Sequence, residues 1–435
     1  MRDYFIRRLL LVPITLFGVT LLVFLITRIA PGGPMESALM KATMSQEGEA
    51  VKGGKEGAGG SAMGDAAKSA LAAQYGYDQP FLQAYFTWLG VLPREMKKVE
   101  ADFEDGKMEL GLTLPGGLVK VAVTRDDEGK GEMKALGDAD LSDWTLRIES
   151  PQEVEKKWRR VNPGEDKGER VFAWRAAVFR AKVYGVLQGY LGESTSYNEP
   201  VWSMMMSRFP ISIYYGVVTM ILTYVVCIPL GIVKAIKHRT PIDNITSILV
   251  FVGYAIPGYV LGALLMVYLG ARLGWFPIMD FVSENFSEMS FFGKVGDLIH
   301  HSVLPLICYM VGAFAFLTML MKNSLMDNLA ADYVRTAAAK GVPFRTAVFR
   351  HALRNSIIPI ATTFGQNVTL FVSGSMLIEK IFDIDGFGLL SFSAVLERDT
   401  PVIMGTLSIA ALLMLVGNII SDVLVAMVDP RVSFK

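Results

Sequence analysis

The residues best able to do chemistry lie together in one segment, Asp332-Tyr-Val-Arg-Thr-Ala-Ala-Ala-Lys-Gly341-Val-Pro-Phe-Arg-Thr-Ala-Val-Phe-Arg-His351-Ala-Leu-Arg-Asn-Ser-Ile-Ile-Pro359, set between two apolar runs. The chemistry on offer is recognition: cations arranged around a stripe of small residues. Helical periodicity covers Leu329–Lys340, with Ala337, Ala338 and Ala339 in its last turn. Gly341 stands where a left-handed C-cap is wanted, and Pro343 prevents continuation. A second helix from Pro343 is expected to place Phe344 and Val348 one turn apart, with Arg345, Arg350 and Arg354 exposed. An amphipathic helix lying on anionic lipid is one reading. Such a helix favours bulky residues such as Leu and Trp, whereas three alanines and a tight turn suit insertion into a groove on a partner protein.

Other candidate chemistry is sparse. Adjacent His300 and His301 point about 100° apart on a helix and do not chelate together, so interfacial packing or hydrogen bonding is the better reading and no metal site is assigned. Cys227 and Cys308 both fall inside apolar stretches, which suggests neither a disulfide framework nor a thiolate site. Neither His nor Cys occurs between Pro31 and Pro210. No phosphate-binding G-x-x-x-x-G-K-[ST] is present; Gly59-Gly60-Ser61-Ala62-Met63-Gly64 lacks the Lys-Ser/Thr and reads as linker.

A membrane must position the segment. The chain is 52% hydrophobic with mean hydropathy +0.38, too apolar for an ordinary soluble domain, and its zero net charge gives no reason to expect nucleic acid. Six stretches are long enough, or nearly so, to span a bilayer: Leu9–Thr27, Ile211–Val233, Ile245–Ala271, Ser302–Met321, Asn355–Ile378 and Pro401–Ser421, none containing a titratable Asp, Glu, Lys, Arg or His. Ion-coupled carriers usually need such a residue at depth, so a stand-alone secondary carrier is disfavoured. Asp422, just past the last stretch, reads as an interfacial anchor. Basic residues concentrate at Arg2, Arg7 and Arg8, at Lys234, Lys237 and Arg239, and in Lys322–Arg354, whereas Arg272–His301 and Glu379–Thr400 are acidic on balance. Both termini and the Ala-rich segment are therefore expected in the cytoplasm.

Residues 31–210 form one long external region. Glu47–Gly64 is a Gly- and Ala-rich linker, Asp65–Tyr75 a short helix stopped by Gly76, and Pro80 opens another helix with Phe81, Tyr85 and Trp88 on one face. Arg94–Lys182 turns soluble-like, with 18 Lys/Arg against 19 Asp/Glu. There Leu118–Thr124 alternates Val119, Val121 and Val123 on one face, Asp126–Gly129 is a turn, and Trp144, Leu146 and Ile148 mark a second strand. Ser150-Pro151-Gln152-Glu153 is a capping box opening a helix that ends near Arg160. The expected fold class is an all-α polytopic membrane protein with a small α+β insertion between its first two transmembrane helices. Its parts are 1–30, 31–93, 94–182 and a core of 183–435.

Tyr333 to Gly341, followed ten residues on by His351-Ala-Leu-Arg-Asn355, resembles the EAA coupling loop of ABC importer permeases, in the form found in the oligopeptide and dipeptide branch. The general pattern starts with an acidic residue where this chain has Arg335. The likeness extends to Arg7-Arg8-Leu9-Leu10, Ile29-Ala30-Pro31-Gly32, Tyr75–Pro80, Tyr190–Ser194, Arg208-Phe209-Pro210, Glu379–Gly388, Arg398–Val402 and Val428-Asp429-Pro430-Arg431, and is greatest to the Yej-type branch. Arg94–Lys182 falls outside that pattern.

The resemblance implies a type I permease fold with six transmembrane helices in a bacterial inner membrane. It implies a coupling role for Tyr333, Arg335, Ala337, Ala339, Lys340, Gly341, Pro343, His351 and Arg354. Its partners are a paralogous second permease, two cytoplasmic ABC ATPase subunits or domains that carry the ATP and Mg, and an external binding protein delivering peptide; this chain holds no cofactor and catalyses no covalent step. The last external loop, with Glu379, Asp383, Asp385, Gly386 and Gly388, is expected to dock the binding protein. Gln366, Asn367 and Ser373 are mid-span polar residues that either line the pathway or join helices. Rival readings are a membrane receptor or scaffold using the insertion, and a permease for nickel or another small solute.

Overall fold

The computed structural model describes residues 2–29, 68, 72–73, 76–104, 106–115, 119–137, 139–168, 170–364 and 375–428. Two units are distinguished: Met1–Val23 with Glu199–Lys435, and Phe24–Asn198.

The first unit is a helical bundle. Its elements are the start of α1 (Arg2–Ile29), α4 (Val201–Ile236), α5 (Pro241–Ala255), α6 (Gly258–Leu265, continued by a wide π turn Met266–Arg272), α7 (Phe291–Ala330), α8 (Asp332–Ala339), α9 (Met376–Phe382), α10 (Phe387–Glu397) and α11 (Thr400–Val428). Among the described residues, α1, α4, α7 and α11 are long and apolar enough to cross a membrane, and α5 with α6 makes a bent pair that passes the same test. The fifth expected span, Asn355–Ile378, includes 365–374, outside the described residues. Ile245–Ala271 differs from the single span expected: the chain bends by 93° between α5 and α6. Pro257 forces Ile256 into extended backbone (φ −95°, ψ 118°) and so ends α5.

The α4–α7 pair is the centre of this unit. Tyr215, Thr219, Thr223, Cys227, Gly231 and Ala235 recur every fourth residue along one ridge of α4, an arrangement that lets two backbones approach. The approach is closest at Gly231, where a Cβ atom would lie 2.6 Å from Met321 Cβ and 2.8 Å from the Thr318 carbonyl oxygen.

The second unit contains α2 (Phe81–Leu89), six strands and α3 (Pro151–Val161). Phe81, Tyr85 and Trp88 do share a face, and their rings gather round Phe24 with centroids 5.5, 5.4 and 5.9 Å away. The helix opens at Phe81, with Pro80 just before it. β1 (Arg94–Asp102), β6 (Arg175–Lys182) and β5 (Thr145–Glu149) form one antiparallel sheet in that order; β2 (Glu109–Thr113), β3 (Lys120–Arg125) and β4 (Gly131–Ala135) form another. Their facing sides bury Phe103, Leu112, Leu114, Val121, Val123, Ala176 and Val178. Arg94 pairs opposite Lys182, so the first and last strands leave the module at one place. Gln188 ties that neck by donating to the Gly90 carbonyl (3.0 Å) and accepting from Gly185 N–H (2.9 Å). The Ser150 capping box is formed in both directions, with Glu153 accepting from Ser150 N–H at 2.8 Å.

The outer side of the β1–β6–β5 sheet carries a network of opposite charges around the buried Ala177 and Phe179. Lys98 meets Glu95 (3.1 Å) and Glu100, Arg147 meets Glu149 (2.9 Å) and Glu95 (2.5 Å), and Lys157 of α3 closes on Glu149 (2.5 Å). Burial pulls the Glu149 carboxyl upward, but the Lys157 hydrogen bond and the charges of Lys157 and Arg147 more than offset it, holding it below the usual glutamate range. A depressed acid stabilises the fold above its ordinary value and loses that contribution as pH falls towards its folded value.

Two outcomes follow from this packing. Gly231→Val should overpack α4 against α7 at a cost of about 1–3 kcal/mol, read as a lower unfolding temperature in detergent; an unchanged temperature would show that the helices part easily. In the module, Glu149→Gln should flatten the acid limb of a tryptophan-fluorescence titration below about pH 4.5 relative to the parent protein. Superimposable titrations would remove Glu149 from the account.

Candidate functional site

The segment expected to couple, residues 332–356, called the coupling segment below, is built onto the end of α7. Ala331 is extended (φ −71°, ψ 147°) and turns the chain so that α8 folds back beside the helix it follows. Val334 is buried, as are Ala347, Val348 and Ala352, and all four pack with Leu317, Met321 and Leu325 of α7 and with Cys227 and Ala235 of α4. Polar bonds secure the same joint: the Tyr333 hydroxyl donates to Asn328 Oδ1 (2.6 Å) and accepts from Asn355 Nδ2 (3.1 Å). The Ser356 hydroxyl lies 2.8 Å from the Ala352 carbonyl and 3.3 Å from that of Ser324.

Gly341 ends α8 in the left-handed region (φ +82°), where its N–H bonds the Ala338 carbonyl at 3.0 Å and Val342 N–H bonds that of Ala337 at 3.2 Å. Both bonds use carbonyls that a helix end otherwise leaves open. Ala338, Ala339, Lys340, Gly341, Pro343, Phe344 and Arg345 are exposed, Ala337 is half-buried, and Arg335 and Arg354 face outward. Arg335 is 3.9 Å from Asp332, a surface pair that adds little. His351 is half-buried.

The second helix departs from the expected period. Phe344–Thr346 is followed by a π turn, Ala347–Ala352, and then Leu353–Ser356. The wider turn buries Ala347 and Val348 together and leaves Phe344 and Phe349 exposed, 61% and 57%. Phe344 and Val348 therefore do not share a face.

At the other end of the bundle, Glu379 is 1% exposed and turned inward. Its carboxylate accepts Leu389 N–H at 2.6 Å and the Tyr309 hydroxyl at 3.1 Å, so it satisfies the start of α10 from a distance. Ser212 Oγ accepts Phe387 N–H at 2.8 Å, and Phe209 stacks on Phe387 with centroids 5.1 Å apart. Asp383 and Asp385 are the exposed carboxylates of this loop, Asp385 paired with Arg208 at 2.7 Å, while Gly386 and Gly388 are buried. Glu379 thus holds the loop instead of presenting itself on it. The proposed pathway residues Gln366, Asn367 and Ser373 lie outside the described residues, as do the linker Glu47–Gly64, much of Asp65–Tyr75, and Asp429–Arg431. The histidines are engaged with backbone: His300 Nε2 lies 2.8 Å from the Trp275 carbonyl, and His301 Nδ1 3.0 Å from that of Asp297.

Two features escaped the sequence reading. Arg8 of α1 forms an ion pair with Asp422 of α11. Lys234, Asp243 and Lys322, which in sequence look like loop charges, are buried together where α4, α5 and α7 meet.

The geometry joins a small-residue turn to a membrane bundle, and sequence comparison agrees with it. Residues 227–434 match the family described as binding-protein-dependent transport system inner membrane component. The peptidoglycan transport system permease protein YejB of Agrobacterium fabrum is 30% identical over all of this chain and 99% of its own length. The chain belongs to this permease family. The inner membrane ABC transporter permease protein YejB of Escherichia coli O157:H7 is 37% identical over 56% of this chain and 68% of its own. The oligopeptide transport system permease protein AppB of Bacillus subtilis is 36% identical over 57% and 78%. The chain is therefore a multi-pass inner-membrane transport component with the type I permease fold. The Agrobacterium alignment runs through the inserted module as well.

If Glu379 holds the loop, Glu379→Ala leaves the Leu389 N–H and the Tyr309 hydroxyl without their acceptor. A loss of about 1.5–3 kcal/mol is expected, with faster hydrogen exchange at Leu389. Unchanged exchange there would contradict the assignment.

Proposed function

We propose that this chain is the membrane-spanning permease of an ATP-driven importer for peptides, with the turn at Gly341 seated in a cleft of a cytoplasmic ATPase. The observation that carries the reading is the turn itself: small exposed residues at its tip, and a rigid attachment to α7 behind it. A flat, small-residue tip admits close backbone approach by a partner, while Phe344 offers apolar area at its edge. Both termini and this turn face the cytoplasm, as the basic loops favour. ATP and Mg bind on two ATPase subunits or domains, a paralogous second permease completes the pathway, and an external binding protein delivers cargo to the loop that exposes Asp383 and Asp385. Closure of the ATPases on ATP moves the turn, the spans open the cavity toward the docked donor, and hydrolysis resets them.

Peptide cargo is supported by the names of this chain's relatives, among them oligopeptide and dipeptide transport permeases. A second reading, a peptidoglycan cargo, is favoured by the name of the relative that aligns over the whole chain, module included.

Gly341→Val tests the reading, because a β-branched residue is strained at φ +82° and displaces the tip. In cells carrying the companion subunits, peptide uptake is expected to fall at least tenfold, and ATPase recovered with the purified permease to fall with it. Wild-type uptake by the variant would contradict the coupling role of the turn, and absence of peptide uptake by the parent chain with its companion subunits would favour a receptor or scaffold. Uptake persisting without ATPase subunits would favour a secondary carrier.

A further inference from the structure

Beside the coupling segment, three spans converge on one buried carboxylate. Asp243, in the first turn of α5, is 3% exposed. Lys322 of α7 places its ammonium 2.7 and 2.8 Å from the two carboxylate oxygens. Lys234 of α4, fully buried, stands 3.1 Å from one of them and donates to Thr246 Oγ1 (3.0 Å), Ser247 Oγ (2.6 Å) and the Asp243 carbonyl (3.0 Å). Arg239 N–H (3.1 Å) and His238 Nδ1 (3.3 Å), from the turn between α4 and α5, complete the shell.

A buried cluster of this kind is weak evidence for stability, since well-packed apolar residues would serve the fold as well. What it supplies is a directional connection with little freedom to slip, because each ammonium has an acceptor whose loss would leave a buried charge. Its place gives that connection a use. Lys322 precedes Ser324 and Asn328, the residues of α7 that hold the coupling segment through Ser356 and Tyr333. The coupling segment, the end of α7 and the α4–α5 turn are therefore joined by successive polar contacts on one side of the bundle. The continuous unit stops at Ile256–Pro257, where the bend separates α5 from α6.

We infer that Asp243, Lys322 and Lys234 are positioning residues for energy coupling: they make the α4–α5 end of the bundle move as one body with the coupling segment, so that displacement of the Gly341 turn reaches α4 and α5 together with α7. The inference rests on the permease reading above and adds the route by which the turn acts.

The test uses the complete importer, with both permeases, ATPases and binding protein, reconstituted in liposomes. Lys322→Met removes one of two cations and leaves Lys234 opposite Asp243, so the buried pair stays balanced. Assembly and ATP hydrolysis are expected within twofold of the parent complex, while peptide imported per ATP hydrolysed falls at least tenfold; Lys322→Arg restores it. Equal import per ATP in Lys322→Met overturns the inference. So does loss of assembly shared by Lys322→Met and Lys322→Arg, which would mark a merely structural role.

A second measurement is independent of any change to the cluster. Spin labels at Lys237→Cys and Asp332→Cys, with Cys227 and Cys308 buried, report the distance across the joined ends. That distance should stay constant between nucleotide-free and ATP-bound states, and a shift of several ångström would overturn the one-body motion. A parent chain that recruits no ATPase would sink the permease reading itself, a result distinct from either failure of the link.

Discussion

The close packing of α4 on α7 is the contact to which the rest of the bundle is referred. Gly231 lets the two backbones meet where Met321 and Thr318 would otherwise be displaced. In a bilayer the driving force for such a pair is interdigitation and hydrogen bonding, because lipid tails are as apolar as the side chains they replace. Small and hydroxyl-bearing residues on the ridge of α4 meet that requirement. Once α4 and α7 are fixed, one end of the pair receives the coupling segment, and the other receives α9 and α10.

Each end is completed by a carboxylate withdrawn from water. Asp243 binds two ammonium groups, and Glu379 binds a tyrosine hydroxyl and a helix-start N–H. In both places the carboxyl group organises backbone and neighbouring helices. The exposed groups are different ones: Ala338, Ala339 and Gly341 at one end, Asp383 and Asp385 at the other. Holding residues and exposed residues are thus separate at both ends.

Much of this was legible in the sequence, for reasons that can be stated. The Gly341 stop, the Ser150 capping box, the Val121 and Val123 alternation and the shared face of Phe81, Tyr85 and Trp88 are local patterns, and local patterns survive in a single chain. Asp243, Lys322 and Glu379 look like loop charges in the sequence because hydropathy marks where a span stops being apolar, not where the helix ends. α7 runs from Phe291 to Ala330, well past the apolar stretch Ser302–Met321, so residues counted as loop are helical and packed. β1 is hidden in the sequence for a related reason: Arg94–Asp102 is mostly charged, and its inward Val99 and Ala101 are too few to signal a strand without β6 beside it. The π turn at Ala347–Ala352 has no one-residue signature at all, so the separation of exposed Phe344 from buried Val348 is not legible in the sequence.

The Gly341 turn is proposed as the contact through which an ATPase drives this permease. Its most direct measurement is a photocrosslinker placed at the exposed Ala338, activated in native membranes, with the adduct identified by mass spectrometry. The expected product is an adduct with a cytoplasmic nucleotide-binding subunit, formed in high yield and altered by ATP. An adduct with lipid alone, at a site where the turn lies flat on the membrane, would contradict it.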